Sequence, residues 1–281
     1  MGQRWAKKWR EEQINIPPIQ PKVDQVMSIQ RPQLNLDLQN GTVVVFSDAH
    51  VIPGQESLAA LALLKVLKIV NPAIVINGGD IFDFASISKH DKLGWADQFT
   101  VKDELEAGLE LLTNVSKITP GAKHIAIEGN HCSRFNKFLS KHIPQFKGVA
   151  GLNLTDHLPK DWQYVMSVII NNNTIFLHAY HGGVHCAYNN VIKSGLSIVT
   201  GHVHTLDIKP FTDYRGTRYG ISTGTLATIQ DNPLFAYTNG TPLNWQAGFV
   251  VLTYINGQLQ YPEVCSINSE NKAIFRGQII E

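Results

Sequence analysis

The chain has 281 residues, 43% of them hydrophobic, enough to bury the core of one large domain or two small ones. Lys and Arg number 24 against 23 Asp and Glu, so the formal net charge of +1 supplies no global electrostatic pull toward nucleic acid or membrane. The three cysteines, Cys132, Cys186 and Cys265, are an odd number in a chain too long to need disulfide staples, which reads as free thiols in a reducing, cytoplasmic setting.

Residues 1–40 carry Pro17, Pro18, Pro21 and Pro32 with few periodic apolar positions, as an arm or linker does. Arg4, Lys7, Lys8 and Arg10 with Trp5 and Trp9 open the arm, but polar Glu11, Glu12 and Gln13 follow instead of an apolar core, so no signal peptide is expected there. The domain is expected over 41–281. Its first strand-like run, Val43 to Phe46, stops before Asp48-Ala49-His50. A helix is predicted over Glu56 to Val70; its most apolar part carries Lys65 and Lys68 and is too short to cross a bilayer core of about 30 Å, so no membrane partner is expected. A second run, Ile74 to Ile76, leads to Gly79-Asp80-Ile81-Phe82-Asp83, and a helix over Asp103 to Ile118 aligns Leu105, Leu109 and Leu112 on one face. A third run, Ile125 to Ile127, leads to Gly129-Asn130-His131. Such strand and helix alternation predicts a largely parallel sheet.

After Asp161 the pattern changes. Tyr164 to Ile170, a turn at Asn171 to Asn173, and Ile175 to Leu177 read as a hairpin ending near His178. Ile198 and Val199 precede Gly201-His202-Val203-His204. Arg218 to Ser222, Phe249 to Ile255, the Asn256-Gly257 turn and Gln258 to Val264 then add strands with no helix between them. Two sheets packed face to face with helices outside are therefore expected.

Five apolar runs thus end in metal-type ligands, and ligands after strand carboxyl ends are where α/β sheets form sites. Asp48 and His50 are two apart, as are His202 and His204, so extended backbone would present each pair on one face. Asp80 offers a carboxylate able to bridge two cations and Asn130 a carbonyl oxygen. This mixed oxygen and nitrogen set suits Mn, Fe, Co, Ni or Zn better than Ca, and its lack of thiolates argues against a structural zinc site. Taken singly, Asp-x-His, Gly-Asp and Gly-Asn are ordinary turn sequences; independent turns have no reason to follow five successive apolar runs with acid, amide and imidazole.

The ordered series D-x-H, G-D-x-x-D, G-N-H, a histidine after a strand and G-H-x-H resembles the calcineurin-like metallophosphoesterase superfamily, in members of the kind found in phage and prophage genomes, over about residues 43–205. The resemblance implies an α/β fold, a four-layer αββα sandwich of two mixed sheets flanked by helices, holding two divalent ions roughly 3 to 4 Å apart. It implies that Asp48, His50 and His204 hold one ion, that Asn130, His178 and His202 hold the other, and that Asp80 bridges them. Manganese is the metal expected first, with Fe, Zn, Ni or Co as alternatives. The implied reaction is hydrolysis of a phosphomonoester or phosphodiester by a metal-bridging hydroxide. His131 would be the general acid and Asp83 its orienting partner, although Asp83 also reads as a helix or loop cap.

Several features depart from relatives or stay open. Cys132 stands where many relatives carry an acid after G-N-H, and it reads as a small buried filler. Phe84 stands where phosphoprotein phosphatases carry arginine, which counts against a Ser/Thr protein phosphatase. Arg134 reads either as a phosphate clamp or as a helix-surface salt bridge. The fourth-motif histidine is His178 or His181, with His178 favoured because it ends its strand directly; His181 would then line the substrate cleft. The expected partner is a phosphoester substrate, with a nucleotide or nucleic acid among the candidates. Trp95, Phe235, Tyr237 and Trp245 either stack on a base or seal the core. Besides the hydrolase, a nuclease of the same superfamily and a non-catalytic metal-binding scaffold remain as readings.

Overall fold

A computed structural model describes residues 32–89, 99–229 and 243–280. The basic and aromatic start of the arm, together with Trp95, Phe235 and Tyr237, lies outside the described residues. In chain order the strands are β1 (Gln33–Leu36), β2 (Gly41–Phe46), β3 (Ile74–Asn77), β4 (Lys123–Ile127), β5 (Trp162–Val165), β6 (Ser167–Ile170), β7 (Thr174–Leu177) and β8 (Ser197–Thr200). They continue with β9 (Leu206–Asp213), β10 (Gly216–Thr223), β11 (Gly248–Ile255), β12 (Gln258–Leu259), β13 (Glu263–Ile267), β14 (Ala273–Phe275) and β15 (Gln278–Ile280). Among the described residues the α-helices are α1 (Leu58–Val70), α2 (Val101–Ile118), α3 (Ser133–His142) and α4 (Cys186–Ser194).

One sheet runs β15-β14-β13-β11-β2-β3-β4-β5, with β12 paired to β11; the other runs β1-β6-β7-β8-β10-β9. In the first, β2 to β5 are mutually parallel and β11 joins them antiparallel. The central segments of β2, β3 and β4 read as unbroken apolar runs because both of their faces are covered. Val43, Val45, Ile74, Ile76, Ile125 and Ile127 face Val168, Ile170, Phe176, Val199 and Ile221 of the second sheet. The alternate residues Val44, Phe46, Val75 and Ala126 pack on the opposite side with Leu63, Val66 and Leu67 of α1 and Leu112 and Val115 of α2. Helix α4 covers the outer face of the second sheet against β8, β9 and β10. The fold is therefore the expected four-layer αββα sandwich, in which fully burying a side chain such as Leu63 contributes about 1.5–3 kcal/mol.

Local chemistry sets the helix ends that aim the site. Ser57 Oγ accepts from the Ala60 amide at 3.0 Å to start α1, which stops at Asn71 in the left-handed conformation. Thr100 and Asp103 close a capping box at the start of α2. No helix among the described residues is long and apolar enough to cross a membrane.

Two segments differ from the reading of the sequence. The run Tyr164 to Ile170 is not one strand: it changes sheets at Met166, whose amide donates to the Pro32 carbonyl at 2.9 Å, so β5 ends the first sheet and β6 enters the second. Residues 33–36, within the stretch read as an arm, form β1 parallel to β6, because Leu34 and Leu36 alternate with polar neighbours and pack on the core between the sheets.

Candidate metal centre

The carboxyl ends of parallel β2, β3 and β4 deliver Asp48 and His50, Asp80 and Asp83, and Asn130 and His131. Those of β7 and β8 deliver His178 and then His202 and His204. Directly past the strands the chain bends out of β geometry. Asp48, His50, Asp80, His202 and His204 all have positive φ, at 53°, 39°, 50°, 72° and 58°. Such backbone costs on the order of 1–3 kcal/mol per residue and persists only where its surroundings over-determine it, which marks these turns as candidates for function. The glycines beside them leave the necessary room. A Cβ on Gly129 would strike Asp80 Oδ1, and one on Gly79 would strike the His178 ring.

The ligand atoms gather in two groups of three, Asp48 with His50 and His204, and Asp80 with His178 and His202; within each group they lie within 4.8 Å of one another. In the first, Asp48 Oδ1 is 3.2 Å from His204 Nε2 and 3.8 Å from His50 Nε2. Asp48 Oδ2 is turned away, accepting from the Ser47 hydroxyl and from the His202 amide at 2.8 Å. Asp48 Oδ1 and His50 Nε2 are both buried and neither has a hydrogen-bond partner. Two bare donor atoms aimed at one another fit a cation and little else.

In the second group the His178 Nδ1–H donates to the Gly78 carbonyl at 3.0 Å. His178 Nε2 then faces two oxygens, Asp80 Oδ2 and Asn130 Oδ1, each at 2.9 Å. Two acceptors around one ring nitrogen require a proton or a metal ion between them. Asp80 Oδ1 is occupied separately, by the amides of His131 at 2.8 Å and Cys132 at 3.2 Å.

Electrostatics agree with a cation-seeking site. Burial alone would raise the Asp48 carboxyl, yet the imidazoles of His204 and His50 beside it hold it well below the carboxylate range. Asp80 is lowered likewise, burial being outweighed by His178. Burial alone would lower His50 and His178; Asp48 and Asp83 instead raise His50 to about 10, and Asp80 with Asp48 raises His178 to about 9. His202, though exposed on one side, is lowered by partial desolvation and by the nearby His178.

A third group joins the first. Asp83 Oδ1 lies 2.6 Å from His131 Nδ1 and 3.2 Å from His50 Nδ1, and these bonds hold its carboxyl far below the usual range against the effect of burial. Arg134 Nη1 donates to the Asp83 carbonyl at 2.8 Å, and its Nη2 is 3.4 Å from His131 Nε2. His181 is exposed, and its partners are the Asn190 side chain and the Tyr180 ring; of the two fourth-motif histidines, only His178 belongs to a ligand group. Cys132 is buried with its thiol pushed up to about 12 by desolvation, the behaviour of an inert filler.

The sequence did not reveal the outer partners. Ser47 Oγ also bonds Thr223 Oγ1 at 2.6 Å, Thr225 Oγ1 donates to the Asp48 carbonyl at 2.6 Å, and the Trp245 ring lies 4.1 Å from that of His204. Only the adjacency of Ser47 to Asp48 was a signal, and hydroxyls at strand ends are too common to read.

A two-sheet sandwich carrying acid, amide and imidazole donors at its strand ends has the build of a metal-dependent phosphoester hydrolase. Residues 41–215 match the calcineurin-like phosphoesterase family, and the chain belongs to it. Among known proteins it is similar to the Gene 54 protein of Mycobacterium phage L5, 27% identical over 247 residues that cover 80% of this chain and 93% of the relative. The Gene 54 protein of Mycobacterium phage D29 is 27% identical over 241 residues, with the same coverage. Among solved structures, Vps29 complexed with zinc from Entamoeba histolytica aligns with a TM-score of 0.43 and 15% identity, over 81% of this chain and 93% of that one.

Proposed function

We propose that this protein is a dinuclear metal-dependent phosphoesterase acting on phosphomonoesters or phosphodiesters. The observation that carries the reading is the pairing of two ligand groups, one with two bare buried donor atoms, beside a histidine whose Nδ1 is held by a carboxylate. Asp48, His50 and His204 would hold one ion, Asn130, His178 and His202 a second, with Asp80 between them. When bound, such ions polarise the phosphoryl group and render a water nucleophilic near neutral pH.

The chain's own residues do the remaining work. His131, with Nδ1 committed to Asp83, keeps Nε2 for delivering a proton to the leaving alkoxide, a role typically worth about 100-fold to 10,000-fold. Arg134 presents Nη2 beside that nitrogen, where it meets phosphoryl oxygens and marks the substrate face. Exposed His181 offers a polar wall farther along the loop after His178. Manganese is the first metal to supply, with Fe, Zn, Ni and Co as further arms. The test is hydrolysis of nitrophenyl phosphate and of bis(nitrophenyl) phosphate by protein reconstituted with each metal. Turnover of either ester supports the reading, and inactivity with every metal on both esters overturns it.

A further inference from the structure

We infer that Asp83 serves both sides of the reaction centre: it is the outer partner of the metal ligand His50 as well as the positioning residue of His131, so one carboxylate oxygen ties ion affinity to placement of the acid. This rests on the function proposed above and adds a link between two of its parts.

His50 is buried, and the hydrogen-bond partner of its Nδ1 is Asp83 Oδ1 at 3.2 Å. Asp83 Oδ1 also meets His131 Nδ1 at 2.6 Å, and the two imidazoles stand edge to face with centroids 4.6 Å apart. A carboxylate oxygen has two lone pairs and donates no proton when ionised, so both rings must present N–H at Nδ1. The tautomers follow. With Nδ1–H committed to Asp83, Nε2 is the His50 nitrogen left for an ion that displaces its proton, and it points toward Asp48 Oδ1, while His131 has Nε2 on the substrate side. Donation from a ligating imidazole to a carboxylate fixes ring orientation and raises the basicity of the ligating nitrogen. Arg134 bonds the Asp83 main chain at 2.8 Å and approaches Oδ1 to 3.5 Å, holding the carboxylate in place for both rings. His178 has no such carboxylate behind it; its Nδ1 uses the Gly78 carbonyl. Loss of Asp83 should therefore fall on one ion and spare the other.

The experiment is calorimetric titration of manganese into the full chain, comparing the wild type with Asp83→Asn and His131→Ala. Asp83→Asn is expected to bind one of two equivalents roughly 10- to 100-fold more weakly while the second is unchanged. His131→Ala is expected to bind both as the wild type does. In turnover, Asp83→Asn should lose more on an alkyl phosphate than on a nitrophenyl phosphate, because only the poor leaving group needs the placed proton. If Asp83→Asn binds both equivalents at wild-type strength, or weakens both equally, the inference is overturned. If the wild type itself takes up fewer than two ions, the proposed function fails instead, and the two failures are told apart by that first titration. Thermal unfolding of the metal-free proteins checks the fold; should Asn not be tolerated, Asp83→Ser makes the same comparison.

Discussion

The two ligand groups are built differently although they lie side by side. Asp48, His50 and His204 are sealed, at 0%, 4% and 6% exposure, and their outer partners are mostly side chains: Ser47, Thr225 and Asp83. In the other half Asp80 and His178 are buried but His202 and Asn130 are exposed, and the outer partners are backbone: the Gly78 carbonyl and the amides of His131 and Cys132. The sealed half is thus a piece of the core that needs its polar contacts to remain folded, whereas the open half is a surface held by strand-end backbone and free to meet an ester. Damage to the first should register in stability as well as activity, and damage to the exposed members of the second, His202 and Asn130, in activity alone.

The widest test of that contrast is Asp80→Ala. Asp80 holds the turn of His131 and Cys132 through one oxygen and faces His178 with the other, so its loss should cut metal-dependent turnover by at least about 1,000-fold, since a catalytic metal supplies several kcal/mol and each 1.36 kcal/mol is tenfold. Initial rates with manganese measure it; a variant within tenfold of the wild type would break the assignment. His131→Ala should lower turnover about 100-fold to 10,000-fold with manganese stoichiometry still two. Unchanged turnover would remove His131 as the acid.

The contrast itself is sharpened by paired histidine variants in chelator-treated protein. His204→Ala removes the imidazole 3.2 Å from buried Asp48 Oδ1 and should cost roughly 1–3 kcal/mol in denaturant unfolding, whereas exposed His202→Ala should stay within about 0.5 kcal/mol. Equal losses would erase the distinction between halves. The smallest effect concerns a buried carboxyl with no imidazole beside it. Glu104 accepts from the Ala85 amide and the Ser86 hydroxyl, but desolvation dominates and pushes it up from 4.5 to about 7, the reverse of Asp48. A carboxyl raised on folding costs nothing below about 4.5 and progressively more as pH rises through about 7, so Glu104→Gln should stabilise by roughly 1–2 kcal/mol at about pH 8 and not at about pH 4. A pH-independent difference would deny the shift.

Much of this was written along the chain. Both faces of β2, β3 and β4 are covered, so Val43 to Phe46, Ile74 to Ile76 and Ile125 to Ile127 are unbroken apolar runs, and the first polar residues after each run announce the turn that carries a ligand. The strand that changes sheets at Met166 left no such mark, since Tyr164 to Ile170 is apolar but for Ser167 and the diversion comes from a bond to distant Pro32. The strand at 33–36 was hidden by its shortness and by the prolines before it. The pair spacing in Asp48-x-His50 and His202-x-His204 suggested residues side by side on extended backbone; through left-handed turns the structure instead puts Asp48 and His50 in one group and divides His202 and His204 between the two, a local strain the surrounding contacts sustain.

The order and identity of the donors belong to the sequence alone, because a metal site needs particular side-chain chemistry and that chemistry is legible residue by residue. The convergence of those donors into two groups, the turning of Asp48 Oδ1 and His50 Nε2 toward one another, and the sharing of Asp83 Oδ1 by two imidazoles were decided only by the tertiary structure. They depend on sheet register and on hydrogen bonds between residues as far apart as Ser47 and Thr223, and such separations carry no local signal.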